Sequence, residues 1–262
     1  MKRFDVLILC ISLSLLFYYF FFKTKAKDYF FKKAEISFEK RNYDEAIKFY
    51  KKEVGLHPSN THVYYNWGNS LMLKGNYDEA IELYKKYASL NPKDSSVYTN
   101  WGLVLNEKGN YNEAIKLFKK SLELNPNDAI TYYNWGKSLY HKKDYNESIK
   151  LYKKSIELDP KDSAFYSAWG LSLDRKGQYA EAIKLYMKSI EIDPQNSQTY
   201  HKLGLALESK KNYDEAIKSY KKAAELNPNA SNVYASWGLA LYNKGNYSEA
   251  LKFYKKATGK VF

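Results

Sequence analysis

The sequence contains little that would support catalysis, metal binding or disulfide cross-linking. Its single cysteine, Cys10, excludes a disulfide within the chain. The four histidines are scattered and lack the spacing of metal ligands, and neither a phosphate-binding glycine loop nor a serine nucleophile motif is present. We therefore expect a protein that is not an enzyme and that uses no cofactor and no metal.

Proline and glycine are also scarce, with 6 and 12 residues in a chain of 262, and most of them recur at a fixed interval. The stretch 61–94 returns with small changes every 34 residues. A period of this length is typical of arrays in which each unit packs only on its neighbours. A separate segment, 1–26, precedes the predicted repeats, which are 27–60, 61–94, 95–128, 129–162, 163–196, 197–230 and 231–262.

Each repeat has the pattern of two helices joined by a turn. Apolar residues fall at positions 4, 7 and 11 of the repeat, and again at 17, 20, 21, 24 and 28, which places each set on one helix face. Position 8 is glycine in six repeats. Glycine costs a helix about 1 kcal/mol relative to alanine, so its return predicts that another helix comes close there.

Residue types at the helix ends predict where each helix begins and stops. A second glycine, in Gly75, Gly109, Gly177 and Gly245, predicts the end of the first helix, and a proline at position 32 predicts the end of the second. We predict that the second helix is capped at position 18, which holds Asp44, Asp78, Asn112, Asn146, Asp214 and Ser248.

The spacing W/Y-x2-W/L-G-x2-L…Y-x2-A-I-x2-Y…P resembles the tetratricopeptide repeat, and the match extends over residues 27–262. The resemblance implies an all-α fold, a right-handed α-solenoid of about seven helix-turn-helix repeats. We expect one hydrophobic helix to precede it. One departure is that tryptophan occupies position 7, whereas the family more often has it at position 4. All five tryptophans share this position, so we interpret them as core residues: Trp67, Trp101, Trp135, Trp169 and Trp237.

The same resemblance implies that partners bind on the concave face, which the first helix of each repeat forms. We expect an extended or helical segment of another protein to lie there, so the predicted function is that of an interaction scaffold. The candidate binding residues are Asn66, Asn69, Asn100, Leu103, Tyr133, Asn134, Lys137, His141, Leu171, His201, Leu205 and Leu239.

Three asparagines, Asn66, Asn100 and Asn134, share position 6 of successive repeats. An amide both donates and accepts hydrogen bonds, so such a ladder could hold a peptide backbone without reading its side chains. The ladder resembles the repeat arm of O-linked N-acetylglucosamine transferases. It raises an alternative function, a substrate-recruiting arm whose catalytic partner is another chain. Chance recurrence in a sequence rich in asparagine, lysine and tyrosine would also explain it.

Residues 1–26 differ from the repeats. An uncharged run at 6–22 follows Lys2 and Arg3 and is closed by lysines. Seventeen residues span about 25 Å as a helix, slightly less than the hydrocarbon core of a bilayer. No small-residue cleavage site follows, so we predict an uncleaved single-pass membrane anchor; a cleaved signal peptide or a buried helix are the alternatives. The greater number of lysines after the run favours a cytoplasmic location of the repeats by a small margin. A short basic N-terminus before a hydrophobic run is also typical of exported, periplasm-facing anchors, which is the alternative.

The net charge of +13 comes partly from lysine pairs at positions 25 and 26 of the second helices. We expect these lysines to form a solvated basic stripe on the outer face, with proximity to anionic lipid as the alternative. Nucleic acid is not an expected partner, because no aromatic residues are interleaved on that face to stack on bases.

The last repeat carries no further helix that would cover Leu251, Tyr254 and Ala257. Repeat arrays usually need a polar end to remain soluble. We therefore expect this end to pack on a partner or to mediate self-association with a second copy of the chain.

Overall fold

The computed structural model describes residues 29–259, and in this range all regular secondary structure is helical. The fourteen helices are α1 (Tyr29–Glu39), α2 (Tyr43–Leu56), α3 (His62–Leu73), α4 (Tyr77–Leu90), α5 (Ser95–Glu107), α6 (Tyr111–Leu124), α7 (Ala129–His141), α8 (Tyr145–Leu158), α9 (Ser163–Arg175), α10 (Tyr179–Ile192), α11 (Ser197–Ser209), α12 (Tyr213–Leu226), α13 (Ser231–Asn243) and α14 (Tyr247–Thr258).

The described helices form two compact units. The first contains α1 to α6 and ends at Leu124, and the second begins at Asn125 and contains α7 to α14. Within each unit every helix packs on the one before it and the one after it, so each predicted repeat is a pair of helices. The predicted all-α repeat fold is confirmed. The predicted hydrophobic segment 6–22 lies outside the described residues.

The glycine at position 8 marks a close approach between the two helices of a repeat, as predicted. A Cβ atom built on Gly102 would lie 2.6 Å from Phe118 Cε1, and one on Gly204 would lie 2.4 Å from Tyr220 Cε1. Both aromatic rings are fully buried. The recurring glycine therefore makes room for the recurring aromatic residue sixteen positions later.

The predicted helix ends are also confirmed. Gly75, Gly109, Gly177 and Gly245 follow the first helices with φ between +75° and +93°, a conformation that favours glycine. Arg41, Lys143 and Lys211 adopt positive φ at the same position of the remaining described turns of this kind. Each second helix before a proline ends two residues ahead of it, as α4 does at Leu90 before Pro92.

The predicted start of the second helix is wrong by two residues. The second helices begin at the tyrosine of position 17, and the residue before this tyrosine is the cap. Asn42 accepts a hydrogen bond from the backbone N–H of Glu45, and Asp144 accepts one from Glu147. Position 18 lies inside the first turn of the helix. Because the side chain at this position is not the cap, it can contact another part of the chain.

That other contact joins neighbouring repeats. Asp78 in α4 forms an ion pair with Lys108, which follows α5, and Asp44 pairs in the same way with Lys74. In the second unit Lys176 Nζ donates to Asn146 Oδ1 at 2.7 Å. The acidic or amide residue at position 18 thus anchors the turn of the next repeat.

Tryptophans at position 7 pack against the apolar clusters of both units, as predicted: Trp67 in the first, and Trp169 and Trp237 in the second. Trp237 stacks on Phe253 with 3.8 Å between ring centroids. The ammonium of Lys153 lies 4.9 Å from the centroid of Trp169 in the next repeat. Position 7 therefore belongs to the packing between helices.

The lysines at positions 25 and 26 of the second helices are exposed, as the sequence predicts for a solvated face, and several of them lie over aromatic rings. Lys86 lies 4.2 Å from the ring centroid of Tyr64, and Lys120 lies 4.2 Å from that of Tyr98. Both rings are about 2% exposed. They attract the ammonium groups but are closed to the stacking of a base.

Candidate functional site

A hydrogen-bonded network on the first unit joins α3, α4 and α5. The hydroxyl of Tyr84 donates to Asn69 Oδ1 at 2.7 Å. The amide of Asn100 donates to the same oxygen and to the hydroxyl of Tyr65, both at 2.9 Å. Burial raises the pKa of Tyr84 and, together with the nearby Asp94, that of Tyr65, so both hydroxyls remain neutral at physiological pH. Leu103 is half-buried one turn along α5 from Asn100.

The three asparagines of the predicted ladder each contact the protein itself. Asn66 is hydrogen bonded to the hydroxyl of Tyr50, and Asn100 belongs to the network just described. Asn134 is only 5% exposed, and its amide donates to the carbonyl oxygen of Ile130 at 2.8 Å. A peptide bound by these amides would have to replace internal hydrogen bonds. The ladder stays a prediction.

A cavity of about 290 Å³ on the second unit brings four of the predicted binding residues together. Tyr133, Lys137, His141 and Leu171 line it, and all belong to the first helices α7 and α9. The other lining residues are Tyr140, Tyr152, Ala164, Ser167, Ala168, Asn196, Gln198, Thr199 and Lys202. The lining contains amides, hydroxyls, ammonium groups, aromatic rings and aliphatic side chains, but no carboxylate. We refer to it as the second-unit cavity.

The remaining predicted residues lie on α11 and α13. His201 Nε2 is 3.0 Å from the hydroxyl oxygen of Ser236, and burial together with Lys202 lowers the pKa of this histidine. Leu205 and Leu239 are 39% and 45% exposed, which is high for leucine. His201, Leu205 and Leu239 also lie on first helices but do not line the second-unit cavity.

A cross-repeat contact that sequence analysis missed occurs within both units. Position 5 of one repeat is bonded to position 6 of the next, 35 residues further along the chain. The pairs are Tyr65 with Asn100 at 2.9 Å, Ser167 with Lys202 at 3.0 Å and His201 with Ser236 at 3.0 Å. The residue types differ in every pair, so no repeated letter in the sequence indicates it. What the three pairs share in the sequence is their separation of 35 residues, one more than the length of the repeat.

Two further grooves lie beside the second helices, one in each unit. Trp101 and Leu105 line the groove of the first unit together with acidic and basic side chains. Trp169 and Leu173 line the groove of the second unit, again together with charged side chains. Their volumes are about 460 and 780 Å³. Sequence analysis did not predict them, since the tryptophans were assigned to the core alone.

The described residues contain no cluster of three or more histidine, cysteine, aspartate or glutamate side chains that could hold a metal ion. Between residues 29 and 259 there is also no helix with the length and hydropathy needed to cross a membrane.

Pairs of helices that pack in series, with a mixed polar and apolar surface on the first helix of each pair, define an α-helical repeat protein. Family models described as "TPR repeat" or "Tetratricopeptide repeat" match residues 27–60, 62–94, 102–143, 129–162, 151–184, 170–211, 197–230 and 235–258. The chain belongs to the tetratricopeptide repeat family.

Solved structures agree with this assignment. MamA protein is 30% identical, with a TM-score of 0.58 over 64% of this chain and 92% of that one. YrrB, described as a TPR protein with an unusual peptide-binding site, is 22% identical, with a TM-score of 0.55 over 67% of this chain and 91% of that one. PilF of Pseudomonas aeruginosa is 17% identical, with a TM-score of 0.67 over 75% and 90%. No match is found among curated proteins.

Proposed function

We propose that this protein is an interaction scaffold that binds an extended or helical segment of a partner protein on the first helices of its repeats. The observation that carries the proposal is the second-unit cavity, where Tyr133, Lys137, His141 and Leu171 converge. Concave sites with apolar walls and a few directed polar groups are the usual form of binding sites in proteins. The peptide-binding site named for YrrB supports the same use of the fold.

The test is site-specific photo-crosslinking in cells. A photo-reactive phenylalanine at Tyr133, inside the cavity, is expected to capture a discrete set of partner proteins. The matched control carries the same group at Lys188, an exposed residue of the outer helix α10. If both positions captured the same proteins in the same amounts, the cavity would not be the binding site.

We propose further that residues 6–22 tether the scaffold to a membrane, with the repeats on the cytoplasmic side. Support comes from the uncharged run of seventeen residues between basic ends, which is close to the length of a bilayer-spanning helix. The full chain is expected to sediment with membranes and to resist extraction by alkaline carbonate. Removal of residues 1–26 should release it, and recovery of the full chain in the supernatant would contradict the tether.

Self-association through the last repeat is a third element of the proposal. Leu251 in α14 is 55% exposed, whereas Ile217, at the same position of the preceding repeat, is half-buried and packs against the core. In a Cys10→Ser background, Leu251→Cys should form a disulfide-linked dimer under mild oxidation, and Ile217→Cys should not. Equal yields of dimer from both variants would argue against this interface.

A further inference from the structure

We propose that the second-unit cavity selects partner segments by an internal aspartate or glutamate, whose carboxylate sits beside Lys202 and Lys137. This inference rests on the proposed function, since it names the chemistry of the segment that the same cavity binds. Its basis is an imbalance of charge in the cavity.

Lys202 supplies the first half of that imbalance. Its side chain is half-buried on α11, and its ammonium donates to the hydroxyl oxygen of Ser167 at 3.0 Å. No carboxylate of residues 29–259 lies within 4.0 Å of the Lys202 ammonium, the distance that defines an ion pair. A neutral hydroxyl replaces only part of the hydration that a buried cation loses. Burial accordingly lowers the pKa of Lys202.

Lys137 supplies the second half. Its ammonium is 5.8 Å from the ring centroid of Tyr133, and it has no ion-pair partner in the described part of the chain. On the outer helices, Lys150, Lys188 and Lys218 each pair with a glutamate three residues away. Two lysines therefore face one cavity without a counter-charge.

The acidic residues of the surrounding repeat form no ion pair with these lysines. Asp162 precedes α9, and its Oδ1 accepts a hydrogen bond from the backbone N–H of Ala164 at 2.8 Å, where it caps the helix. Neither Asp162 nor Asp174 lines the cavity. A carboxylate of the bound molecule would therefore meet two ammonium groups that have no ion-pair partner in the described part of the chain.

The cavity fits a carboxylate side chain within a polypeptide. Leu171 and Ala168 form an apolar wall next to the two lysines, which would accommodate a neighbouring side chain of the same segment. A carboxylate that accepts from an ammonium inside a partly desolvated cavity forms a strong, charge-assisted hydrogen bond. Gln198, on the same rim, can donate to the backbone of the segment.

The experiment uses a library of random dodecapeptides selected on the purified full chain. Peptides enriched in aspartate or glutamate at one position are expected. A fluorescent copy of the strongest peptide should bind Lys202→Met roughly tenfold or more weakly, because truncating one member of a desolvated charge pair typically costs that much. Lys202→Arg, which keeps the charge, should retain most of the binding and guards against a folding defect.

Two matched controls isolate the cavity. Lys188→Met removes the same unit of charge from an exposed ion pair on α10 and should leave binding unchanged. Changing the enriched acidic residue of the peptide to its amide should weaken binding to the wild type as much as Lys202→Met does. Combining both changes should add little, since they remove the same contact.

The possible failures can be told apart. If selected peptides bind, and Ala168→Trp blocks them by filling the cavity, but they show no acidic preference, the proposed function stands and this inference is overturned. Equal losses in Lys202→Met and Lys188→Met would also overturn it, because net charge alone would then explain binding. If no peptide binds the folded chain, the inference and the proposed function both fail.

Discussion

At the scale of single residues, neighbouring repeats differ in whether a buried tyrosine hydroxyl finds a hydrogen-bond partner. Tyr220 is fully buried and donates to Glu208 Oε2 at 2.8 Å, and the amide of Asn243 donates to the other oxygen of that glutamate at 3.1 Å. At the same positions of the preceding repeat, the buried hydroxyl of Tyr186 and Oδ1 of Asp174 have no hydrogen-bond partner among the described residues. Burial accordingly raises the pKa of Asp174. The shorter acidic side chain leaves both groups unpaired.

Asp174→Glu should therefore stabilise the protein. One added methylene is expected to let the carboxylate reach the hydroxyl of Tyr186, and satisfying two buried polar groups is worth about 1 kcal/mol or more in the free energy of unfolding. The reverse change, Glu208→Asp, should destabilise it by a similar amount. Urea denaturation followed by circular dichroism measures both. Shifts of the midpoint in the same direction would show that side-chain length is not the cause.

At the scale of helix pairs, an aromatic ring packs against a glycine in six of the described repeats. The clearance varies along the chain. A Cβ atom on Gly204 would lie 2.4 Å from Tyr220, whereas one on Gly238 would lie 3.1 Å from Tyr254, which is only half-buried. In the first repeat Ala34 occupies the same position and is fully buried, so a methyl group can be accommodated when the two helices are spaced for it.

Overpacking against Tyr220 costs about 1–3 kcal/mol and the gain in helix propensity is about 1 kcal/mol, so Gly204→Ala is expected to lower the free energy of unfolding by up to about 2 kcal/mol. Gly238→Ala makes the same chemical change with more room, and we expect a smaller loss or a slight gain. The midpoints of urea denaturation give the order directly. If Gly204→Ala proved the more stable of the two variants, close packing against Tyr220 would not explain the glycine.

Much of this element structure could be predicted from the sequence, because it depends on local residue types. The apolar spacing indicated the helices, and the recurring glycine indicated the close approach at Gly102 and Gly204. Contacts between repeats could not be predicted so well. The pairing of Asp78 with Lys108 depends on how two hairpins stack, so position 18 was taken for a cap when it bridges to the next repeat. The burial of Asn134 depends on the same stacking.

The candidate site was predictable in part for a related reason. Family resemblance placed Tyr133, Lys137, His141 and Leu171 on the first helices, where they line one cavity. That a partner binds them stays a prediction. The missing counter-charge at Lys202 became visible only from the neighbours of its ammonium group. A division of the helices after Leu124 was also unexpected, since the repeat pattern continues across it without a change in composition.

At the scale of the whole molecule, the contacts between repeats recur at constant separations within each unit. In the second unit Lys176 reaches back 30 residues to Asn146, Lys244 reaches back 30 residues to Asp214, and Ser167 meets Lys202 35 residues on. If one whole repeat of 34 residues is removed, each deleted residue is replaced by the residue at the same position of the following repeat. Deletion of 163–196 would put Lys210 opposite Asn146, where Lys176 now lies. The stacking surfaces would remain of the same type.

We therefore expect the chain without residues 163–196 to fold, with unchanged helicity per residue by circular dichroism and a somewhat lower melting temperature, since repeat stability is roughly a sum of neighbouring contacts. It should also lose peptide capture, because Ser167, Ala168 and Leu171 leave the second-unit cavity.

The matched control deletes only 163–178, which removes α9 and leaves Tyr186 without the glycine against which it packs. This half-repeat deletion should reduce helicity and open the chain to protease. Equal damage from both deletions would mean that the repeats are not interchangeable, and that long-range contacts specific to each repeat hold the molecule together.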